Sequence, residues 1–295
     1  VAWTDVVQVV FLIAGGLATT YIALQMVGSG DAWDGIGILR KEVPGHFSMI
    51  LSKGEMMIPD GKGGTRDAYG DLPGLSVLIG GMWITNLSYW GFNQYITQRA
   101  LAAKSLDEAQ KGMIFAGFLK LLMPLIVVIP GIAAFVIVND PEMLARLGAD
   151  GLINIPSDAA ADKAYPWLIQ FLPSGLKGLA FVALTAAIVS SLASMLNSTS
   201  TIFTMDIYKQ YINKNSDDKT TVRVGRITSA VALLIGAIVA PLLGGINQAF
   251  QFIQEYTGVV SPGILAIFLL GLFWKKTTNK AAIWGALVSI PIAMF

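Results

Sequence analysis

The sequence predicts an all-α integral membrane protein. Three observations carry this. The 295 residues are 54% hydrophobic and only 13% charged, about half the charge of a soluble domain. Mean hydropathy is +0.63. The apolar residues gather into seven spans, each near the roughly 20 residues that a bilayer requires. The chain and a lipid bilayer are therefore the first partners the composition names.

The first span is Val6–Val27, with Asp5 just before it. The second, Pro73–Thr97, starts apolar and then turns polar and aromatic at TNLSYWGFNQY. The third is Ala109–Val138 and contains Lys120. The fourth, Trp167–Tyr208, is too long for one crossing. Its start, WLIQFLPSGLKG, reads as an interfacial turn before a membrane helix over 175–208. Val224–Leu243, Gln248–Trp274 and Ala281–Phe295 follow. The sixth also opens polar, as NQAFQFIQEYTG. Polar stretches at membrane depth must face protein or water rather than lipid, and transporters build binding sites from such interrupted helices.

Lys and Arg set the expected orientation. The short connections holding Arg99, Lys104 and Lys111, then Lys209 to Arg226, then Lys275 to Lys280 are densely basic, so they are expected in the cytoplasm. Residues 28–72 are expected as an external loop, with the Gly-rich Ser52–Asp71 stretch mobile. The chain starts at Val1 without a Met and stops at Phe295 inside an apolar run. Both ends are expected to continue into a longer protein, here as one membrane domain over 1–295.

Composition also excludes function classes. A net charge of +1 gives no field for nucleic acid. The absence of Cys removes thiol and Cys–metal chemistry, and the single His46 completes no metal site. No G-x-S-x-G, P-loop or H-E-x-x-H occurs, so no enzyme is expected.

The chemistry-bearing residues lie inside the spans. Ala187, Ser190 and Ser191 fall at i, i+3 and i+4, and Ser194 and Ser198 continue that face. Hydroxyls in an apolar helix either bond across to a packed neighbour or offer oxygens to a small, poorly hydrated cation. Lys120 sits about a dozen residues into its span, where insertion costs about 2.5–3.5 kcal/mol. Its ammonium is a donor for substrate oxygens, or a structural partner for Glu255. Asn86 offers a donor and an acceptor beside Tyr89 and Trp90. An amide next to aromatic faces suits a sugar, and equally the anchoring of a helix end. Gln248, Gln251 and Gln254 form a polar stripe with Phe250 among them.

At NLSYWGFNQYITQRALAAKS (Asn86–Ser105) the chain resembles the sodium/solute symporters, in the sodium/glucose cotransporter branch. EAQKGMIFAGFLKLLMPLIVVIPGIAAFV, AAIVSSLASMLNSTSTIFTMDIY, FQFIQEYTGVVSPGILAIFLLGLFWKKT and the opening WTDVVQVVF agree with it. The resemblance covers nearly the whole chain except Ser52–Asp71, which looks like an insertion. It implies a LeuT-type fold of inverted repeats, here the last helix of the first repeat, the second repeat and part of one further helix. It implies that Asn86, Lys120 and Gln254 contact a hexose such as galactose or glucose. Tyr89 and Trp90 match an inner gate, and Phe250 an outer one. Ala187, Ser190 and Ser191 match a sodium site, with Asp5 tied to it or to sodium exit. Ala193 stands where two-sodium relatives carry a hydroxyl, which favours one sodium per sugar. The first-repeat helices that would complete both sites lie outside the chain.

The expected function is sodium-coupled symport of a hexose by alternating access, in a bacterial inner membrane. Related symporters carry proline, sialic acid or other anions, which Lys120 would also serve. A competition panel separates these substrates. Symporter-like helices also occur as non-transporting sensors, which a C-terminal signalling domain would reveal.

Overall fold

The computed structural model describes residues 2–59, 64–70, 74–75, 77–148, 162–243 and 249–294. Its helices are α1 (Ala2–Val27), α2 (Ala32–Glu42), α3 (Met82–Leu87), α4 (Gln94–Leu101), α5 (Leu106–Lys120) and α6 (Ile129–Asn139). They continue as α7 (Pro141–Arg146), α8 (Ala164–Ile169), α9 (Ser174–Ile202), α10 (Asp218–Val239), α11 (Ala249–Phe273) and α12 (Asn279–Ala293). Among the described residues, five helical stretches are long and apolar enough to cross a membrane: Asp5–Val27, Leu106–Asn139, Ser174–Ile212, Asp218–Leu243 and Phe252–Phe273. The architecture is helical and multi-pass.

Short polar residues fix the helix starts. Asp31 accepts the Trp33 and Asp34 amides at 2.7 and 3.4 Å and so caps α2. Ser105 accepts the Glu108 amide at 3.3 Å, in the S-x-x-E pattern of a capping box. Asp217 and Thr278 cap α10 and α12 in the same way.

Proline and widened turns interrupt the spans. In the third, Pro124 lacks the N–H that would bond the Lys120 carbonyl, so the α-helical ladder stops there. A π-helical turn, Pro124–Val128, joins α5 to α6. Lys120 thus ends a helix at a kink rather than sitting within one. The second span is more broken. A π turn over Val77–Gly81 leads into α3, a second over Ser88–Phe92 follows, and Asn93 is extended before α4. Among the described residues its longest helical run, 77–92, is shorter than any of the five. The last described helix, α12, has only 15 residues.

The expected external loop is partly regular. Met57–Pro59 pairs antiparallel with Thr65–Asp67, with Ile58 opposite Arg66. Asp67 accepts the Gly54 and Tyr69 amides at 2.7 and 3.0 Å, so this stretch carries its own hydrogen bonds.

The chain divides into two compact units. One holds Val1–Tyr21, Gln98–Val127 and Ile169–Ile246. In it α9 packs on α10, where Ser200 donates to the Gly225 carbonyl at 2.8 Å. Thr20 of α1 donates to the Leu125 carbonyl at 2.7 Å, a hydroxyl bond across helices. The other holds Ile22–Thr97, Val128–Leu168 and Asn247–Phe295. Its buried side chains include Val27, Leu39, Ile137 and Trp167. Gly35 of α2 lies against the α1 backbone, where an added Cβ would stand 2.2 Å from the Leu24 carbonyl oxygen. Large apolar side chains stand outward on α10, among them Val231, Leu234, Ile235 and Ile238. Lipid solvates such faces at no loss.

Candidate functional site

A polar cluster forms inside the first unit. Asp5 of α1 is its centre, with its side chain only 17% exposed. One carboxylate oxygen accepts the Ser190 hydroxyl of α9. The other lies 2.8 Å from the Arg99 guanidinium of α4. Arg99 also donates to the Ser194 hydroxyl at 2.7 Å, and Ser194 donates back to the Ser190 carbonyl at 3.0 Å. Gln98 donates to the Ser194 carbonyl at 3.3 Å and accepts the Asn197 amide at 2.9 Å. Gln8 Oε1, one turn along α1 from Asp5, is buried without a hydrogen-bond partner.

This arrangement follows from helix geometry. Ser190, Ser194 and Asn197 at i, i+4 and i+7 share one stripe of α9. Neighbouring residues are turned about 100° apart, so Ser191 points elsewhere and is exposed. Ala187 is partly buried, one turn before Ser191. Asp5 thus meets Ser190 but not Ser191. The Ser190 oxygen, donating its proton to Asp5, keeps its lone pairs for a cation.

The second unit carries the aromatic cluster. Tyr89 and Trp90 stand on the Ser88–Phe92 turn with centroids 5.4 Å apart and rings nearly perpendicular at 84°. This is the favourable edge-to-face geometry. The Tyr89 and Tyr95 hydroxyls share a hydrogen bond. Asn86 is exposed, and its amide nitrogen donates to the Met82 carbonyl at 2.8 Å. Gln254 and Glu255 are exposed on α11.

Lys120 is exposed and falls in the same unit as Asp5, Ala187, Ser190 and Ser191. Asn86, Tyr89, Trp90, Phe250 and Gln254 fall in the other. Gln248 lies outside the described residues, as do the Phe250 and Gln251 side chains.

Arg99, expected in a basic connection, stands instead on α4 and pairs with Asp5, and no local pattern singles out Tyr95. The available signal for Arg99 was an Asp at the start of an apolar helix with no cation within a turn of it.

Among the described residues, two groups outside the spans have shifted ionisation. Burial pushes the His46 imidazole down, with its ring 4.6 Å from Phe135. The Thr220 side-chain hydrogen bond, with amide bonds of the same helix start, holds the Asp217 carboxyl down.

Comparisons with known proteins bear on the family and the fold. A sodium/glucose cotransporter from Vibrio parahaemolyticus is 60% identical over 296 residues, covering 100% of this chain and 52% of that protein. A sodium/mannose cotransporter from Bos taurus is 32% identical, covering 99% of this chain and 49% of that one. The chain spans about half the length of the curated relatives it matches. Among solved structures, the substrate-bound outward-open state of a Na+-coupled sialic acid symporter superposes with a TM-score of 0.72, at 22% identity. That match covers 98% of this chain and 54% of the other, and shows a shared fold. The profile of the sodium:solute symporter family matches residues 1–289, and the chain belongs to that family.

Proposed function

We propose that this chain is part of the transport core of a sodium-coupled hexose symporter, working by alternating access in a bacterial inner membrane. The hydrogen bond between Ser190 and the Asp5 carboxylate is the observation that carries it. It presents a lone-pair-bearing hydroxyl on α9 beside a partly buried carboxylate on α1 that Arg99 already pairs, and the hydroxyl is the kind of hard oxygen that a dehydrated sodium ion takes.

In this reading Ala187 gives a carbonyl, and Ser190 and Ser191 give hydroxyls, to one sodium ion. Asp5 lies behind them or on the exit path. The α1 helix ends one repeat of a LeuT-type fold, the following spans form its inverted copy, and α12 begins a further helix. Segments carried by the relatives beyond the matched half would complete the sodium shell. The basic connections face the cytoplasm, and residues 28–72 face outside. The hexose binds to Asn86, Lys120 and Gln254 above the Tyr89 ring, with Trp90 beside it and Phe250 in the outer gate.

Sodium binding favours the state that accepts sugar, so each ligand raises the other's affinity by the same factor. The repeats then rock around the fixed site. Sodium leaves along Ser194 and Ser198 past Asp5, and the sugar passes Tyr89.

Uptake of labelled galactose or glucose by the full-length protein in proteoliposomes tests this. Uptake driven by sodium and lost in choline supports the reading. Accumulation that persists in choline overturns it.

A further inference from the structure

Tyr89 and Tyr95 are six residues apart. In an uninterrupted α-helix they would stand about 9 Å apart along the axis and about 120° apart around it. Instead their hydroxyls share a hydrogen bond, with ring centroids 6.0 Å apart and planes at 76°. The departure from helix geometry is the break at Asn93, where φ is −81 and ψ 116.

That break is built, not frayed. The Asn93 side-chain oxygen accepts the Tyr95 amide at 3.4 Å. The Asn93 carbonyl accepts the Ile96 and Thr97 amides at 3.1 and 3.0 Å, and the Thr97 hydroxyl at 3.1 Å. Asn93 thereby caps α4 and aims its first turn, with Tyr95, back at the preceding π turn.

The other side of the break is tied down independently. Ser88 donates to the Ser261 carbonyl of α11 at 3.0 Å. Phe92 stacks on Phe268 of α11 at 4.6 Å, with the planes only 18° apart. Both ends of the turn are therefore fixed to α11, and Tyr89 and Trp90 lie between the two anchors. The Tyr89–Tyr95 bond joins an anchored turn to a helix beyond a hinge. Widened helical turns of this kind concentrate at functional sites.

We propose that Tyr95 is a positioning residue whose hydroxyl latches the Tyr89 ring in its closed orientation, and that bending at Asn93 separates the pair to open the gate. In this reading Tyr95 acts through the Tyr89 ring rather than on the substrate. It sets the energy of the closed ring relative to the open one. This rests on the reading of Tyr89 as the inner gate.

The test compares Tyr89→Phe, Tyr95→Phe and the double variant of the full-length transporter in proteoliposomes. The readout is the rate of hexose release from the sodium- and hexose-loaded protein, alongside equilibrium sodium-dependent hexose binding. Each single variant is expected to release hexose about three- to tenfold faster, the worth of one hydrogen bond. The double variant is expected to be no faster than either, because both remove the same bond. Binding by Tyr95→Phe is expected to stay within about twofold of wild type. Additive effects, or release by Tyr95→Phe at the wild-type rate, overturn the latch alone. A wild-type protein with no sodium-dependent hexose flux overturns the gate reading and the latch together.

Discussion

The Arg99 guanidinium lies 2.8 Å from the Asp5 carboxylate, although the two residues are 94 positions apart in the chain. The contact ties α4 to α1, and the shared Ser194 hydroxyl extends it to α9. Arg99 is about half exposed, with its side chain at 48%, so solvent screens the pair and its own contribution is about 1 kcal/mol or less.

Arg99→Gln in the full-length protein is therefore expected to lower the thermal unfolding midpoint in detergent by a few degrees. Adding Asp5→Asn should recover part of that loss, because the carboxylate left without its cation is then gone. Strict additivity of the two substitutions would show that they do not interact.

Ser190→Ala removes a hydroxyl bonded to a carboxylate, and Ser191→Ala removes an exposed one. In the proposed symporter both lower apparent sodium affinity, Ser190→Ala by about tenfold or more, as for a hydrogen bond to a charged group. Ser190→Ala also loosens α9 from α1 and should lower thermal stability, whereas Ser191→Ala should not. Sodium titration of hexose uptake, with thermal unfolding beside it, separates the two. At saturating sodium the hexose half-saturation concentration of Ser191→Ala should return to the wild-type value.

Gly35 packs against backbone, with the Leu24 carbonyl oxygen 2.2 Å from where a Cβ would stand. Backbone cannot swing aside as a side-chain tip can. Gly35→Ala is expected to destabilise by about 1–3 kcal/mol, read as a loss of thermal midpoint. Gly37, two residues on, meets nothing within 4 Å, and its Ala variant should unfold like wild type.

His46 is held neutral by burial beside Phe135, below its usual 6.5. A histidine with a lowered folded-state pKa stabilises the fold fully above the unfolded value. That stabilisation is lost as pH falls from about 6.5 through the lower folded value. Thermal stability should therefore drop on acidification through this range, and His46→Gln should flatten that part of the profile. Identical pH profiles would contradict it.

Much of the fold was legible in the sequence because lipid imposes a simple rule, that apolar spans of bilayer length become helices. The breaks in the second and third spans were legible too, whereas the sixth span, expected to be interrupted, runs as one helix, α11, through Pro262. Pro124 explains why the ladder stops at Lys120, and the polar run after Ile84 marks where the second span fragments. The break at Asn93 carries only a local signal, an Asn whose side chain accepts the amide two residues on, and the contact of Tyr95 with Tyr89 that follows from it is encoded by no helical spacing. At the candidate site the serine stripe was readable from spacing, but not which serine meets Asp5. That depends on the rotation of α9, and at about 100° per residue only Ser190 of the adjacent pair can do so. Arg99 was invisible for a different reason. No local spacing encodes a contact between distant helices, and a basic residue at a span end reads first as a topology signal.

The most direct measurement is the hexose accumulation ratio reached by the full-length protein in proteoliposomes, at zero membrane voltage and an imposed tenfold sodium gradient. One sodium ion carried with each sugar predicts accumulation approaching about tenfold, because at zero voltage an obligate one-to-one symport comes to rest when the two concentration ratios are equal. A ratio that stays at one while the sodium gradient is varied would contradict the account.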